Sequence, residues 1–314
     1  MTLSFEIFDE APTDWNNFLL KDKTGIIHNT KEYGLYAPYE NYESKYFRVL
    51  DSTGNIKLQV ILLESTKNDE KIKKILSRFT KKSGHLTRWN YGPTTESKDA
   101  TEIFFKYLKQ SKKKFYGLEH PLSSIQQNSC NIKKWATFLI DLSNSKEDIF
   151  SRIDKNSGRK NIERSQERGV EIEEISDNNL LEYLEIFNQT KKDRGEKETS
   201  VEVMGNFWRI LKPIGLSGYL AKKDGKYIGG MLFSFFNGYI NEWGVARSQQ
   251  DFEEKLYSQD LIKWEIIQWG IKNKMRFYDL TGFNPNPIND KEIGILRYKK
   301  KWGGEVYDQK FIFN

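Results

Sequence analysis

Residues 217–237, SGYLAKKDGKYIGGMLFSFFN, contain the clearest structural pattern in this chain. An apolar run is followed by the pair Asp224–Gly225 and then by a second apolar run. Asp-Gly between two such runs is a strong signal for a tight β-hairpin, because both turn residues must tolerate positive φ angles. The stretch therefore predicts two antiparallel strands joined at residues 224–225.

The same pattern occurs earlier in the chain, and the neighbouring elements repeat with it. Residues 45–65, KYFRVLDSTGNIKLQVILLES, predict a second hairpin with its turn at 52–54. After each hairpin come a strand-like segment with a tryptophan (Trp89 or Trp243), an amphipathic helix and another strand. We interpret this as two copies of one β-β-β-α-β unit, with both tryptophans in the core.

The segment between the two copies has signals of its own. Residues 135–175 begin as a strand and become helical at Ser145, with Asp148 at the spacing of a capping box. Gly169 is predicted to end this helix before a further strand. One basic helix is therefore expected between the copies.

The last strand of the chain has no partner in its own unit. EVYDQKFIF, residues 305–313, follows the second copy, so we expect it to return to the first copy. The boundary is predicted near residue 134, where QNSCNIKK breaks both periodicities. The predicted domains are 1–134, completed by 290–314, and 135–289.

Composition limits the possible chemistry. The 314 residues favour two domains, and 37% hydrophobic with 14% aromatic residues suffice for a core. A single cysteine, Cys130, excludes an intramolecular disulfide, and three scattered histidines (His28, His85, His120) argue against a metal site. We expect no metal and no organic cofactor.

Charge and hydropathy suggest where in the cell the protein is found and which partners it binds. No apolar run reaches the roughly 20 residues of a membrane span, and the start of the chain is acidic, unlike a signal peptide. A cytoplasmic monomer is expected. The net charge of +6 favours a polyanionic partner without requiring one.

Several common enzyme classes lack their motifs. The chain has no G-x-S-x-G, no P-loop and no G-x-G-x-x-G, which disfavours hydrolase, kinase and Rossmann functions. Two β-β-β-α-β units describe the GNAT acyltransferase fold, whose acyl-CoA binds a glycine-containing turn before the central helix. The turn at 246–260 has no glycine, and that at 91–101 has only Gly92, before a proline. The sequence therefore has the pattern of the GNAT fold but lacks the glycine-containing turn that binds acyl-CoA.

Further stretches carry a resemblance to a known family. They are YGP at 91–93, IDLSNSKEDIFSRIDKNSGRKNIERSQERGV at 140–170, YDLTG at 278–282 and RYKKKWGGE at 297–305. In this order they resemble the Fem family, which transfers an amino acid from aminoacyl-tRNA to the peptide of a cell-wall precursor. The resemblance covers nearly the whole chain and implies an α/β (α+β) protein of two tandem GNAT-like domains. No long helical insertion interrupts the second unit. In this the chain resembles the shorter FemX type, which lacks the coiled-coil arm.

The resemblance implies a catalytic role for Lys299. The family has a lysine beside the tetrahedral centre, where a fixed cation would stabilise the developing oxyanion. Tyr298, before it, could stack on a base of the tRNA acceptor end or pack in the core. In an extended segment Lys299 and Lys300 would face opposite sides, while Lys301 stands where the family pattern has glycine. The alternative is a solvated basic edge.

Other candidate residues could contact the substrates. Arg194 matches a family arginine that contacts the precursor's diphosphate, and the alternative is a surface arginine. Arg159, with Arg152 and Lys155 at helical spacing, could follow an RNA backbone or form a solvated face. Asp279, at a predicted strand end, could orient the acceptor amine, bind another substrate group or cap the next turn.

These observations predict an aminoacyltransferase. The amine of a cell-wall precursor, which could be phosphorylated, would attack the ester of aminoacyl-tRNA, and the vicinal tRNA hydroxyl would relay the proton. One alternative is an N-acyltransferase that uses a CoA or carrier-protein thioester. The other is a catalytically silent double-GNAT module that binds RNA or a protein.

Overall fold

The computed structural model describes residues 2–65, 86–123, 125 and 130–314, and the chain forms two compact units. The first contains Met1–Ala136 and Asp308–Asn314, and the second contains Thr137–Tyr307. The domain boundaries predicted from the sequence stay a prediction. They differ from these units in assigning 290–307 to the first domain and 135–136 to the second.

The first unit is a mostly antiparallel sheet with helices. Its strands follow the order β1-β2-β3-β4-β6-β13, β5 pairs with β3, and β4 and β6 are parallel. Phe311, Ile312 and Phe313 of β13 pair with β6, so the C-terminal strand returns to the first unit as predicted. The elements are β1 (Leu3–Phe8), α1 (Trp15–Leu19), α2 (Lys31–Tyr36), β2 (Tyr42–Asp51), β3 (Ile56–Ser65), β4 (Leu86–Trp89), β5 (Thr94–Thr95), α3 (Lys98–Gln110), β6 (Lys114–Leu118) and β13 (Glu305–Phe313), with 3₁₀ turns at Ile27–Asn29 and Ala37–Glu40.

The second unit repeats the arrangement. Its strands follow the order β7-β12-β11-β10-β9-β8, and β11 and β12 are parallel. The elements are β7 (Asn131–Asp141, of which 137–141 belong here), α4 (Lys146–Arg152), a π-helical turn (Lys155–Arg159), α5 (Lys160–Glu167), β8 (Glu171–Glu174), α6 (Leu180–Asp193), α7 (Val201–Gly215), β9 (Leu216–Lys223), β10 (Lys226–Phe236), β11 (Tyr239–Arg247), α8 (Gln249–Glu253), α9 (Ser258–Lys272), β12 (Phe277–Phe283) and α10 (Asp290–Lys300).

Local signals in the sequence are realised in both units. Asp224 and Gly225 have φ angles of 49° and 78° between β9 and β10, as the hairpin turn requires. Ser145 caps α4, where its hydroxyl accepts the Asp148 N–H at 3.1 Å. The two predicted β-β-β-α-β units are confirmed as β2-β3-β4-α3-β6 and β9-β10-β11-α9-β12.

The predicted basic helix between the copies is wrong as a single helix. Ile153 ends α4 with an extended backbone, and the Asp154 carboxylate accepts the N–H groups of Asn156 and Ser157 at 3.0 and 2.7 Å. An aspartate that caps a new turn competes with continued helix. Arg152 therefore lies on a different helical segment from Lys155 and Arg159, and the predicted basic face does not form.

The segment before the final strand is helical, and its prediction as an extended stretch is wrong. The Asn289 side chain caps α10 by accepting the Glu292 N–H at 3.0 Å. Acidic residues stand in its first turn and Arg297, Lys299 and Lys300 in its last, which suits the helix dipole. Lys299 and Lys300 thus point about 100° apart rather than to opposite sides.

Candidate functional site

The side chain of Lys299 is held against the end of β12. Its ammonium donates to the carbonyl of Thr281 at 2.9 Å, to the Thr281 hydroxyl at 3.0 Å and to the carbonyl of Gly282 at 3.0 Å. Burial lowers the pKa of Lys299 to about 8, although the Glu242 and Asp279 carboxylates act in the opposite direction. The Lys299 ammonium is thus a cation at neutral pH that three hydrogen bonds orient, whereas Lys300 is exposed.

Thr281 holds an unusual backbone conformation at this position. Its φ is 64°, in the left-handed region, which is rare for a β-branched residue and costs on the order of 1–3 kcal/mol. The Thr281 N–H donates to Asp279 Oδ1 at 2.7 Å, and the Thr137 hydroxyl contacts the Thr281 carbonyl at 2.7 Å. Three side chains from β12, β7 and α10 therefore fix this residue.

Asp279 lies inside β12 and not at its end, which corrects the sequence-based placement. It is fully buried, and its Oδ2 accepts from the Tyr239 hydroxyl at 2.8 Å and the Asn241 amide at 3.2 Å. Its Oδ1 also contacts the Thr137 hydroxyl. These bonds make Asp279 a residue that positions Thr281.

The Thr137 hydroxyl connects Asp279 to the backbone of Thr281. It contacts two acceptors, Asp279 Oδ1 and the Thr281 carbonyl, and has one hydrogen to donate. Burial raises the pKa of Asp279, and its hydrogen bonds to Thr137, Tyr239 and the Thr281 N–H act in the opposite direction. Asp279 and Thr137 together therefore hold Thr281.

Two buried ion pairs lie in the same unit. Lys263 on α9 is 1% exposed and pairs with Glu242 on β11, which also accepts the Tyr278 hydroxyl at 2.7 Å. Lys301 pairs with Asp260 on α9 at 2.6 Å. Of these residues, Lys263, Glu242 and Asp260 were not predicted from the sequence. Lys263 and Asp260 could have been found as charged residues within the apolar sequence of α9, whereas Glu242 on β11 gave no comparable signal.

Lys299 has no salt-bridge partner within the described residues. Lys263 pairs with Glu242 and Lys301 with Asp260, whereas the Lys299 ammonium donates to oxygen atoms of Thr281 and Gly282. A positive charge at such a half-buried position attracts an anion more strongly than it would in water, because the surroundings screen it less.

The glycine pair of the RYKKKWGGE stretch allows close backbone packing. Gly303 has a φ of 72°, and a Cβ there would lie 2.5 Å from the Arg152 carbonyl oxygen. A Cβ on Gly304 would lie 2.8 Å from the Leu139 carbonyl oxygen. The Asp154 N–H also donates to the Lys301 carbonyl at 2.7 Å. Three of the four Fem-like stretches therefore meet in the second unit.

A polar pocket of about 220 Å³ opens beside these glycines. Its lining includes four polar or charged residues, Asp141, Asn144, Arg152 and Glu305, together with apolar residues and the two glycines. Leu142 N donates to the Arg276 carbonyl, whereas Thr137 contacts Thr281 five residues further along β12. The pocket therefore lies towards the opposite end of β7 from Lys299.

The N-terminus of α9 is occupied by a side chain of the protein itself. Asp251, in α8, is fully buried, and its Oδ1 accepts the Ser258 N–H at 2.8 Å. Its Oδ2 pairs with Arg247 at the end of β11. A helix N-terminus is a natural anion site, so this carboxylate fills the position that follows β11.

The remaining predicted residues lie apart from the Lys299 contacts. Tyr298 is 36% exposed, and the Lys301 ammonium lies 4.4 Å from its ring centroid. Arg194 is exposed directly after α6, and Arg159 is half-buried at the end of the π-helical turn. Trp89 is fully buried as predicted, while Trp243 is half-buried against Phe207.

Comparison with known proteins identifies the fold. No protein-family model and no curated protein sequence matches the chain. Among solved structures, FemX matches with a TM-score of 0.72 at 12% identity, covering 98% of this chain and 97% of FemX. The chain has a FemX-like tandem GNAT fold.

Two further structures share this fold. L-PGS from Bacillus licheniformis matches with a TM-score of 0.59 at 11% identity, covering 98% of this chain and 92% of that one. A tandem GNAT protein from the clavulanic acid biosynthesis pathway matches with a TM-score of 0.57 at 9% identity, covering 99% and 98%. Within the described residues, no helix is long and apolar enough to cross a membrane.

Proposed function

We propose that this protein is an acyltransferase that forms an amide between an amino acid, delivered as its tRNA ester, and the amine of an acceptor. The observation that carries the proposal is the Lys299 ammonium, which is oriented by three hydrogen bonds to uncharged oxygen atoms of Thr281 and Gly282. Acyl transfer passes through an oxyanion, and a preorganised positive charge stabilises that species more than the ester.

The reaction balances without a cofactor. The acceptor nitrogen forms a bond to the acyl carbon, and the C=O π pair moves to the carbonyl oxygen. When this pair returns, the ester C–O bond breaks and the tRNA hydroxyl oxygen leaves. The proton lost by the amine reaches the leaving oxygen through the vicinal hydroxyl of the tRNA.

Asp251 favours a tRNA ester over acyl-CoA as the donor. A CoA pyrophosphate at the N-terminus of α9 would meet a buried carboxylate that already accepts the Ser258 N–H. The pyrophosphate and the Asp251 carboxylate would repel each other because both are negative. The turn at 246–260 also has no glycine that would let the backbone approach a phosphate. The thioester alternative is therefore the weaker of the two.

The acceptor is proposed to be a peptidoglycan-precursor peptide that carries phosphate, with Arg194 as its contact. An exposed arginine after a helix can hold phosphate oxygens with both of its terminal nitrogens. Arg194→Ala should raise KM for a phosphorylated acceptor roughly tenfold, about 1.4 kcal/mol, and leave kcat nearly unchanged. Arg209→Ala, which removes an exposed arginine from α7, is the control. Equal KM values for wild type and Arg194→Ala would remove Arg194 from the acceptor site.

The donor is tested by direct competition. Purified protein is mixed with a primary-amine acceptor and either an aminoacylated RNA minihelix or acetyl-CoA, and amide formation is followed by mass spectrometry. We expect product from the minihelix, with a rate that falls as salt rises. Product from acetyl-CoA alone would replace this proposal by the thioester alternative, and product from neither would support a silent binding module.

A further inference from the structure

The hydrogen bonds of Lys299 leave no N–H for a substrate. An ammonium has three N–H donors, and all three go to Thr281 and Gly282. Two of the acceptors are backbone carbonyls fixed at the end of β12. A substrate oxygen would have to displace one of these bonds to contact Lys299 directly.

The Thr281 hydroxyl, in contrast, is able to donate. Its oxygen accepts from Lys299, and its own hydrogen is donated to no acceptor in the described part of the chain. Thr281 as a residue is only half-buried. A hydroxyl that accepts from an ammonium is polarised and becomes a stronger donor.

The backbone of Thr281 is built to hold this hydroxyl in one place. Its φ of 64° is kept by the Asp279 contact to its N–H and by the Thr137 and Lys299 contacts to its carbonyl. Unusual backbone conformations that are held by several neighbours are typical of functional sites. Asp279 and Thr137 act through Thr281 and are positioning residues.

We propose that the Thr281 hydroxyl is the catalytic donor to the oxyanion and that Lys299 acts by charging and orienting it. This inference rests on the proposed acyl transfer. As the acceptor nitrogen bonds to the acyl carbon, the C=O π pair moves to the oxygen, which accepts the Thr281 O–H. When the pair returns, the ester C–O bond breaks and the hydroxyl keeps its proton.

Substitutions at residue 281 separate this role from a structural one. Thr281→Val keeps the shape and removes the hydroxyl, and Thr281→Ser keeps the hydroxyl. Thr281→Gly removes the hydroxyl and relieves the positive φ, so it should fold at least as well as wild type. With the aminoacylated minihelix, we expect Val and Gly to lose about 10²-fold or more in the single-turnover rate. Ser should stay within about tenfold of wild type, with KM unchanged in all three.

A double variant tests the link to Lys299. Thr281→Gly and Lys299→Met should each produce a similar loss, and the double variant should lose little more, because the two residues act as one unit. Full additivity, or a Thr281→Gly protein as active as wild type, would overturn the inference. Wild-type protein that forms no amide from the minihelix would instead overturn the proposed function, so the two failures are distinguishable.

Discussion

Each unit has a pair of parallel strands, and the two pairs differ in the side chains that face each other: an aromatic ring against glycine in the first unit and two polar groups in the second. In the first unit Trp89 on β4 stands opposite Gly117 on β6, and in the second Asn241 on β11 stands opposite Asp279 on β12. A Cβ on Gly117 would lie 1.8 Å from the Trp89 ring, so the indole fills the space above the strand. Asn241 and Asp279 are buried polar groups in the corresponding place.

This difference indicates where chemistry can occur. An indole against glycine contributes packing, and its one polar atom, Nε1, is satisfied by the Gly92 carbonyl at 2.8 Å. A buried carboxyl requires partners, and those of Asp279 lead to Thr281 and Lys299. We expect that the first pair mainly stabilises the fold and that the second positions the reacting groups.

Removing the indole gives the largest expected effect. Trp89→Ala opens a cavity beside Phe104 and Phe115, so the free energy of unfolding should fall by roughly 3–5 kcal/mol. Urea unfolding measures this, with the half-buried Trp243→Ala as a milder control. The single-turnover rate of the folded protein should stay near wild type. A large loss of rate in folded Trp89→Ala would break the comparison, because the first strand pair would then contribute to chemistry.

The second unit should be most sensitive to loss of a charge partner. Lys301→Met leaves the buried Asp260 without its cation and with the Asn161 amide as its side-chain partner, which should lower the free energy of unfolding by roughly 3–5 kcal/mol. Lys300→Met, one residue earlier and exposed, should change it by less than about 0.5 kcal/mol. Adding Asp260→Asn to Lys301→Met should recover part of the loss. Equal stability of the two single variants would show that the Lys301 pair is not buried in solution.

Lys299→Met tests whether the charge beside β12 contributes to the reaction. It removes the charge and keeps most of the side-chain bulk, so the single-turnover rate should fall about 10²-fold or more, equivalent to about 2.7 kcal/mol. The melting temperature should change little, because Lys299 has no salt-bridge partner in the described part of the chain to leave unpaired and the residue is only half-buried. The matched control is again Lys300→Met, whose smaller loss should vanish when salt is raised. Equal losses in both variants would indicate a diffuse basic edge.

The pH dependence of transfer should follow Lys299. Its pKa is lowered to about 8 by burial, so above pH 8 the charged fraction falls about tenfold per unit, and the rate should fall with it. The folded state binds fewer protons than the unfolded state between about pH 8 and 10.5, so this group makes stability rise with pH there. Activity and stability should therefore change in opposite directions.

A permanently charged variant provides the control for this pH dependence. Lys299→Arg keeps its charge at high pH. The ratio of wild-type to Lys299→Arg rates removes the titration of the acceptor amine, which is common to both proteins. We expect this ratio to fall above pH 8. A ratio that does not change with pH would show that Lys299 is not the titrating group.

Much of the fold was predictable because its signals are local. The turn at Asp224–Gly225, the cap at Ser145 and the repeated β-β-β-α-β order depend on residues a few positions apart. Lys299 was found through the resemblance of its stretch to a family pattern. The break at Asp154 was missed because its carboxylate caps a new turn and competes with the continued helix that the sequence predicted. The helix at 290–300 was missed because the stretch around Lys299 was treated as an extended segment, although Asn289 is a helix-capping residue.

The amino-acid sequence alone thus determined the two hairpins and the two tandem units, since φ preferences and apolar periodicity act within short segments. It also predicted the return of β13, because the pattern of the second unit left this strand without a partner there. The surroundings of Lys299 were decided only by tertiary structure. Thr137 and Asp279 are separated by 142 residues, and they meet because β7 lies beside β12 in a particular register. Side-chain contacts across a sheet depend on that register, and a shift of one residue would turn each side chain to the opposite face.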